Sequence, residues 1–473
     1  MAAPSSQPLS NAVASAPVTP PSPDGRKRWQ VGTLTYTAGG LAVLFGWLLW
    51  GDFAWQMRER SVAPVLQVML KQFKASDLIT GLMLMSIPAA LSMIIGPIVS
   101  FRSDRHRSRM GRRIPFLLAS TPFAVVALLI MSATPWLGTQ LHGILGLRSP
   151  GESACVLIAI GLAWTVFEVA AIICNALFGA LINDVVPKDM LGRFFGLFRA
   201  CSLLAGILFN KVIFAHADEH YVAIFVGMAL LFGAGFSLMC FRVKEGEYPP
   251  PPPPDPKRPP GFVSACKVYY RECYTRSYYL TIFLVMGVVA LCFMPINIYS
   301  LYYADSLGMS RQSYGDHLAL TYMISLGAAY FLGWLADKFH PLRMGIVSLV
   351  LYLIVMIWGG FAAVDPSRFG IAFVAHGVVS GMYFTTTASL TARLYPHTRF
   401  AQFASAGVLL ASTMSVVFPL ILGRVLDMTG RNYQQTFFWG ACLALVGIGG
   451  LLYLHARWMK LGGAKAYEAP SVD

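Results

Sequence analysis

Runs of about 20 apolar residues recur twelve times along this chain, which leaves it few possible folds. Each run is long enough to cross the roughly 30 Å hydrocarbon layer of a bilayer as a helix. In lipid only helices and closed barrels satisfy their own backbone groups, and none of these runs alternates with the period of two that a barrel strand needs. The spans fall near 41–73, 77–101, 114–136, 153–182, 192–215, 220–241, 278–303, 315–336, 342–363, 369–394, 400–425 and 433–456. Charged residues make up 12% of the 473, against roughly 25% in an average soluble domain. The sequence predicts an all-α membrane protein of twelve transmembrane helices.

The formal net charge of +14 would suit a nucleic-acid binder, but its placement argues for topology. Between spans 2 and 3 stands Phe101–Phe116, FRSDRHRSRMGRRIPF, with six arginines and one aspartate. With the N-terminus inside, cytoplasmic segments hold about 25 of the 36 Lys and Arg residues, the positive-inside bias of membrane proteins. Both termini are then cytoplasmic, in a cell (inner) membrane, with anionic lipid headgroups as a secondary partner and no nucleic acid.

Domain boundaries follow from composition. Residues 1–28 read as a disordered cytosolic tail, without the apolar core of a signal peptide. Residues 29–241 form one six-span bundle and 278–460 a second. The linker 242–277 contains YPPPPPPDPKRPPG at Tyr248–Gly261, a stiff polyproline spacer. Residues 461–473 form a second cytosolic tail. Cys155, Cys174, Cys201, Cys240, Cys292 and Cys442 sit in spans, and Cys266 and Cys273 in the linker. They read as small packing residues, with no disulfide or metal site.

The first span has two readings. The smoothest apolar stretch, Thr33–Met57, would leave Arg58, Glu59 and Arg60 at the outer surface. A helix running to Phe73 would hold them at membrane depth.

The halves echo each other, as parallel repeats do. Ser103-Asp104-Arg105 follows span 2, and Ala336-Asp337-Lys338 follows span 8. After span 4, Pro187 leads by six residues to Arg193 and on to Gly196; after span 10, Pro396 leads to Gln402 and Ser405. On these motifs the chain resembles the major facilitator superfamily. The resemblance implies two six-helix bundles and an inner gate latched by the loop carboxylates Asp104 and Asp337 with Arg105, Arg112, Arg113, Arg193 and Lys338.

Within that superfamily, SDRHRSRMGRRIPF resembles the matching loop of sucrose transporters and of glycoside–pentoside–hexuronide porters. Gly51-Asp52-Phe53-Ala54 is similar to the start of span 1 in the melibiose-permease branch. Phe167-Glu168-Val169 falls where that branch carries a span-4 aspartate, and Arg199 where it carries a span-5 arginine. The resemblance implies a sugar or glycoside held by Asp52, Glu168 and Arg199. It also extends span 1 to Phe73, which brings Gln56, Glu59 and one arginine of the cluster to the site.

Charges at membrane depth must pair or line a wet cavity, so Asp52, Glu168 and Arg199 are expected to satisfy one another across spans 1, 4 and 5. The alternative is a permanent salt bridge that only packs helices. Asn297 and Tyr299 of span 7 offer further polar and aromatic contacts, although Tyr299, Tyr302 and Tyr303 also suit a membrane interface. His317 and His376 read as helix–helix hydrogen bonders rather than proton relays. Ser92 and Gly96 stand where sodium-coupled members carry carboxylates, and the branch's span-11 lysine has no counterpart between Ala401 and Gly423. The resemblance thus implies proton coupling, through Asp52 or Glu168.

There is no Gly-rich nucleotide loop and no HExxH, so an enzyme is not indicated and no cofactor is implied. The sequence reads as a monomeric secondary transporter of a sugar or glycoside, a proton symporter working by alternating access as residues 30–241 rock against 278–460 about a midplane site. Rival readings are a facilitator-type exporter of another small molecule and a non-transporting scaffold or sensor of the same fold.

Overall fold

A computed structural model describes residues 28–248, 262–396 and 400–470. Twelve long helices carry the fold: α1 Ala38–Gln72, α2 Asp77–Arg105, α3 Ile114–Leu145, α4 Glu152–Val185, α5 Lys188–Leu208 and α6 Ala217–Arg242 in the first half. The second half holds α7 Ser277–Ser306, α8 Arg311–Phe339, α9 Pro341–Ala362, α10 Pro366–Thr387, α11 Phe400–Met428 and α12 Gln435–Lys460. The expected spans fall on these helices, several of which run on past them, while the expected 369–394 outruns α10 and takes in a separate short helix, Leu390–Leu394. By length and hydropathy they make eleven membrane-crossing segments, because α5 and α6 join through a π-turn (Phe209–Ile213) and a 3₁₀ turn (Phe214–His216).

Helix α1 is the long version. It starts at Thr37, whose hydroxyl accepts from the Gly40 N–H at 3.2 Å, and continues through Pro64 to Gln72. Arg58, Glu59 and Arg60 therefore lie near its middle, and the outer-surface alternative for them does not hold.

Within the first half α1 packs on α5 and α6, α3 on α4 and α6, and α2 on α4. In the second half α7 packs on α11 and α12, α9 on α10 and α12, and α8 on α10. Adding six to each number turns one pattern into the other, which is the internal repeat expressed as packing. The halves meet through α2 against α11 and α5 against α8, pairs that the same operation exchanges.

Outward faces leave Phe123, Trp136, Leu162, Leu230, Phe361 and Val446 more than half exposed. So much bare apolar surface would be untenable in water and is the natural contact with lipid chains. Close approach of α8 and α10 depends on glycine. A Cβ at Gly377 would stand 2.4 Å from Thr321 Cγ2, and one at Gly370 2.3 Å from His317 Nε2.

Outside the bundle, strands Trp29–Val31 and Leu34–Tyr36 form an antiparallel hairpin, in a region expected to pass straight into the first bundle. The linker contains a helix, Phe262–Tyr274, that the spacer reading did not anticipate. The proline run at 249–261 and most of the N-terminal tail lie outside the described residues, as does the side chain of Cys266. The C-terminal tail is anchored, with the Tyr467 hydroxyl donating to the Leu394 carbonyl at 2.7 Å.

Candidate functional site

A cavity of about 390 Å³ lies between the halves. Helix α1 contributes Arg60, Pro64 and Gln67 to its wall, and α5 contributes Arg199 and Leu203. Facing them are Asn297 and Ser300 of α7, Tyr314, Thr321, Tyr322 and Ser325 of α8, and Phe373, His376, Ser380 and Phe384 of α10. One wall holds two guanidiniums; the other holds hydroxyls, an amide, an imidazole and rings. Asn297 is exposed although its neighbours from Phe293 to Ile296 and from Ile298 to Ala304 are buried. The cavity is what exposes it.

The α1 wall follows from helical spacing. Asp52, Gln56 and Arg60 recur every four residues and share one face of the helix. Gln56 Nε2 donates to Asp52 Oδ1 at 3.1 Å, Ser202 Oγ of α5 donates to Gln56 Oε1 at 2.8 Å, and Arg60 Nη2 donates to Ser202 Oγ at 3.0 Å. Arg60 Nη1 reaches across to the Tyr322 hydroxyl at 3.2 Å. A hydrogen-bonded chain thus runs from the cavity back to Asp52, which is fully buried and whose Oδ2 has no partner.

The neighbouring charges go elsewhere, because successive helical residues point about 100° apart. Arg58 is buried among Trp55, Phe167 and Phe232, its guanidinium carbon 4.3, 5.2 and 5.2 Å from their ring centres, and pairs with Glu59 at 2.9 Å. Glu59 is half exposed. The charges nearest Glu168 are Glu59 and Arg58.

The expected mutual pairing of Asp52, Glu168 and Arg199 does not form. Asp52 bonds Gln56 behind the cavity wall, Glu168 stands by the Arg58–Glu59 pair, and Arg199 lines the cavity beside Arg60 and Tyr322. Asn297 lies on the cavity wall. Tyr299 does not: it is fully buried toward one end of the bundle, donating to the Asp77 carbonyl at 2.8 Å. Sequence reasoning missed Ser202, three residues beyond Arg199 on the same face, and Tyr322.

His376 is buried and bridges the cavity to α9. Its Nδ1 lies 3.0 Å from the Tyr352 hydroxyl, which donates to the Cys292 carbonyl at 3.1 Å, so Nδ1 carries a proton toward Tyr352. Nε2 meets the Asn297 side-chain oxygen at 3.1 Å; a neutral ring requires the Asn297 amide turned to offer its NH₂. His317 bonds its own helix at the Ser313 carbonyl, 2.6 Å away.

One end of the cavity is sealed by contacts between the halves. Lys71 of α1 pairs with Asp305, which also takes Arg311; Arg311 reaches Asp218 at 2.7 and 3.2 Å, and Lys211 pairs with Asp316 at 3.0 Å. Asp427 of α11 accepts from the N–H groups of Asp77 and Leu78 at 2.9 and 3.0 Å, so a carboxylate from one half caps a helix of the other. Tyr433 donates to Asp77 Oδ1 at 3.0 Å, and Tyr302 bonds Thr80 and the Gln67 carbonyl. None of these charged partners was singled out from sequence; their signal was their place at helix ends.

The other end carries the arginine-rich loop. Arg112 grips Asp184 of α4 through two bonds of 3.0 and 2.6 Å, and Arg113 bonds Asp184 at 3.1 Å, Ser103 at 3.0 Å and Asp104. Arg105 lies over the Phe101 ring at 3.8 Å, and Lys338 over Trp334 at 4.8 Å. The side chains of Asp337 and Arg193 lie outside the described part of the structure.

Two further residues hold this loop. Glu245 accepts from the N–H groups of Arg112, Arg113 and Ile114 at 2.8–2.9 Å, capping α3, and from the Tyr248 hydroxyl at 3.0 Å. Burial, Glu245 and Asp184 push the Tyr248 hydroxyl's pKa above its ordinary value. Asp184 and Glu245 are distant in sequence from the loop and were not anticipated.

The sequence profile of the Major Facilitator Superfamily matches residues 48–397 and 282–468. The chain belongs to the major facilitator superfamily. It is accordingly a multi-pass membrane transporter and not an enzyme. No curated protein matches it in sequence.

Among solved structures, the superfamily member resembles an inward-facing, unoccupied bacterial homologue of the human lysosomal transporter Spinster, at 12% identity and TM-score 0.65, over 89% of this chain and 98% of that one. It also resembles a mutant of the nucleoside transporter NupG, at 12% identity and TM-score 0.63, over 87% and 99%. The inward-open xylose transporter XylE from E. coli gives 15% identity and TM-score 0.57, over 88% and 98%. At these identities the likenesses establish the fold.

Proposed function

We propose that this superfamily member is a secondary active transporter of a sugar or glycoside, working by alternating access as a proton symporter. The observation that carries this reading is a cavity lined by hydroxyls, an amide, aromatic rings and two guanidiniums, seated between two pseudo-symmetric halves and sealed at one end. Hydroxylated solutes suit such a wall, where a few polar groups fix orientation and rings supply contact. The arginine-rich end faces the cytoplasm by the positive-inside rule, and both termini lie on that side of the cell (inner) membrane. It works as a monomer.

In this reading Arg199 and Asn297 contact the solute, and Gln56 positions Arg60 through Ser202. Asp52 carries the proton. It is buried, holds one unpartnered oxygen and is linked to the cavity by hydrogen bonds. Glu168, beside Glu59 and Arg58, is the second acid of the coupling machinery. Asp104 with Arg112 and Arg113 braces the first half at the inner gate without bridging the halves, and Asp337 and Lys338 of the second half, with Arg193 of the first, belong to that gate.

Purified protein in proteoliposomes, supplied with labelled mono- and disaccharides, tests this. Uptake should concentrate solute under a pH gradient and collapse with a protonophore, while sodium should have no effect. Asp52→Asn should abolish accumulation yet keep exchange of solute across the membrane. Sodium-driven uptake, or full accumulation by Asp52→Asn, would reject the coupling scheme. Distance probes at the far ends of α2 and α11 test alternating access itself, since one fixed separation under every condition would leave a scaffold.

A further inference from the structure

Resting on that transporter reading, we infer that the solute carries a negatively charged group, a carboxylate or a phosphate, bound between Arg60 and Arg199. Both guanidiniums line the cavity, and among the described residues no carboxylate does. Arg199 is exposed to the cavity and makes no hydrogen bond among the described residues; its nearest charged or titratable neighbours are Arg60 and Tyr322. The donors of Arg60 go to neutral oxygens, those of Ser202 and Tyr322.

The nearby carboxylates stand off the cavity wall, Glu168 among them beside the Arg58–Glu59 pair. Asp52 sits behind Gln56 and Ser202, and Glu59 is paired with Arg58. Two adjacent cations in a cleft with apolar surroundings need a counter-charge. A planar guanidinium meets carboxylate or phosphate oxygens with two parallel bonds, a match no neutral hydroxyl offers.

The opposite wall gives the solute its other half. Asn297, Ser300, Thr321, Ser325 and Ser380 are neutral donors and acceptors, and Phe384, 54% exposed, offers a ring face. The cavity at about 390 Å³ lies near the small end of the roughly 300–1,000 Å³ typical of ligand pockets. The geometry fits a small polyhydroxylated acid, with its charge toward α1 and α5 and its hydroxyls toward α7, α8 and α10.

Full-length protein in nanodiscs is titrated with glucose, glucuronate and glucose 6-phosphate, and with the galactose counterparts, following thermal stabilisation and binding. An acidic member should bind at least tenfold more tightly than its neutral parent, and the carboxylate and phosphate arms tell the two charged groups apart. Arg199→Gln and Arg60→Gln should each remove that preference, whereas Arg199→Lys should keep part of it. Neutral sugars binding as tightly as their acids, or acid binding unchanged in both Gln variants, would overturn the inference and leave the transporter reading intact. Binding by no member of the panel would overturn it too. The distance probes on α2 and α11 then judge alternating access separately.

Discussion

The two ends of the bundle use the same chemistry for opposite purposes. At the sealed end, Lys71 with Asp305, Arg311 with Asp218, and Asp427 on the N–H groups of Asp77 and Leu78 all join one half to the other. At the arginine-rich end, Arg112, Arg113, Asp104, Asp184 and Glu245 bond one another within the first half. An ion pair across two bodies holds a gate shut; one within a body stiffens it. The first kind must break for the cavity to change sides, and the second need not.

The largest effect expected from this comparison is at Asp184. Its removal in Asp184→Asn leaves Arg112 and Arg113, 21% and 8% exposed, short of their shared counter-charge. Loss of one partner in such a buried group costs about 3–5 kcal/mol, to be read as a large fall in melting temperature. The separation of α2 and α11 at the sealed end should stay the same; a change there would show that the loop cluster acts across the halves after all.

Next comes Asp427→Asn, which weakens a helix cap worth about 0.5–2 kcal/mol. It should shift the gate toward its open arrangement by up to roughly tenfold, seen in the α2–α11 distance distribution, with melting nearly unchanged. An unaltered distribution would deny Asp427 its latch role. Lys71→Gln should do less, within about 1 kcal/mol, because Lys71 is 41% exposed and Asp305 keeps Arg311.

The smallest effect is a titration. His340 stacks on Trp458 and accepts from the Leu342 N–H at the start of α9. Burial, helped by Arg393, Arg343 and His455, pushes its pKa down to about 4. A histidine whose folded pKa is lowered binds protons more readily when unfolded, so stability falls as pH drops from about 6.5 toward 4. His340→Gln should flatten melting temperature across that window, and an unchanged slope would assign the loss to other groups.

Much of the architecture was legible because it depends on local composition. Apolar runs, turn residues and the bias of Lys and Arg are read one segment at a time, and the Asp104 and Pro187 motifs betray the repeat. The site was legible only in part. Arg199 and Asn297 lie on the cavity wall, but Asp52 faces Gln56 and Ser202 instead of an arginine, and Tyr299 belongs to the seal. Asp184 and Glu245 hold a loop about 70 and 130 residues away, separations evident from their hydrogen-bond partners and beyond any local pattern.

Arg58, Glu59 and Arg60 show where the division falls. Sequence alone dictated that three adjacent residues on a helix face three ways, because each turns about 100° from the last. It left their depth open between two readings, and the run of α1 to Gln72 in the structure put them near the middle of the helix. Only the packing of α4, α5, α6 and α8 around α1 decided that Arg58 enters an aromatic core, Glu59 stays half exposed and Arg60 reaches the cavity. A helix fixes the directions of its side chains; what they meet belongs to the neighbours, which come from elsewhere in the chain.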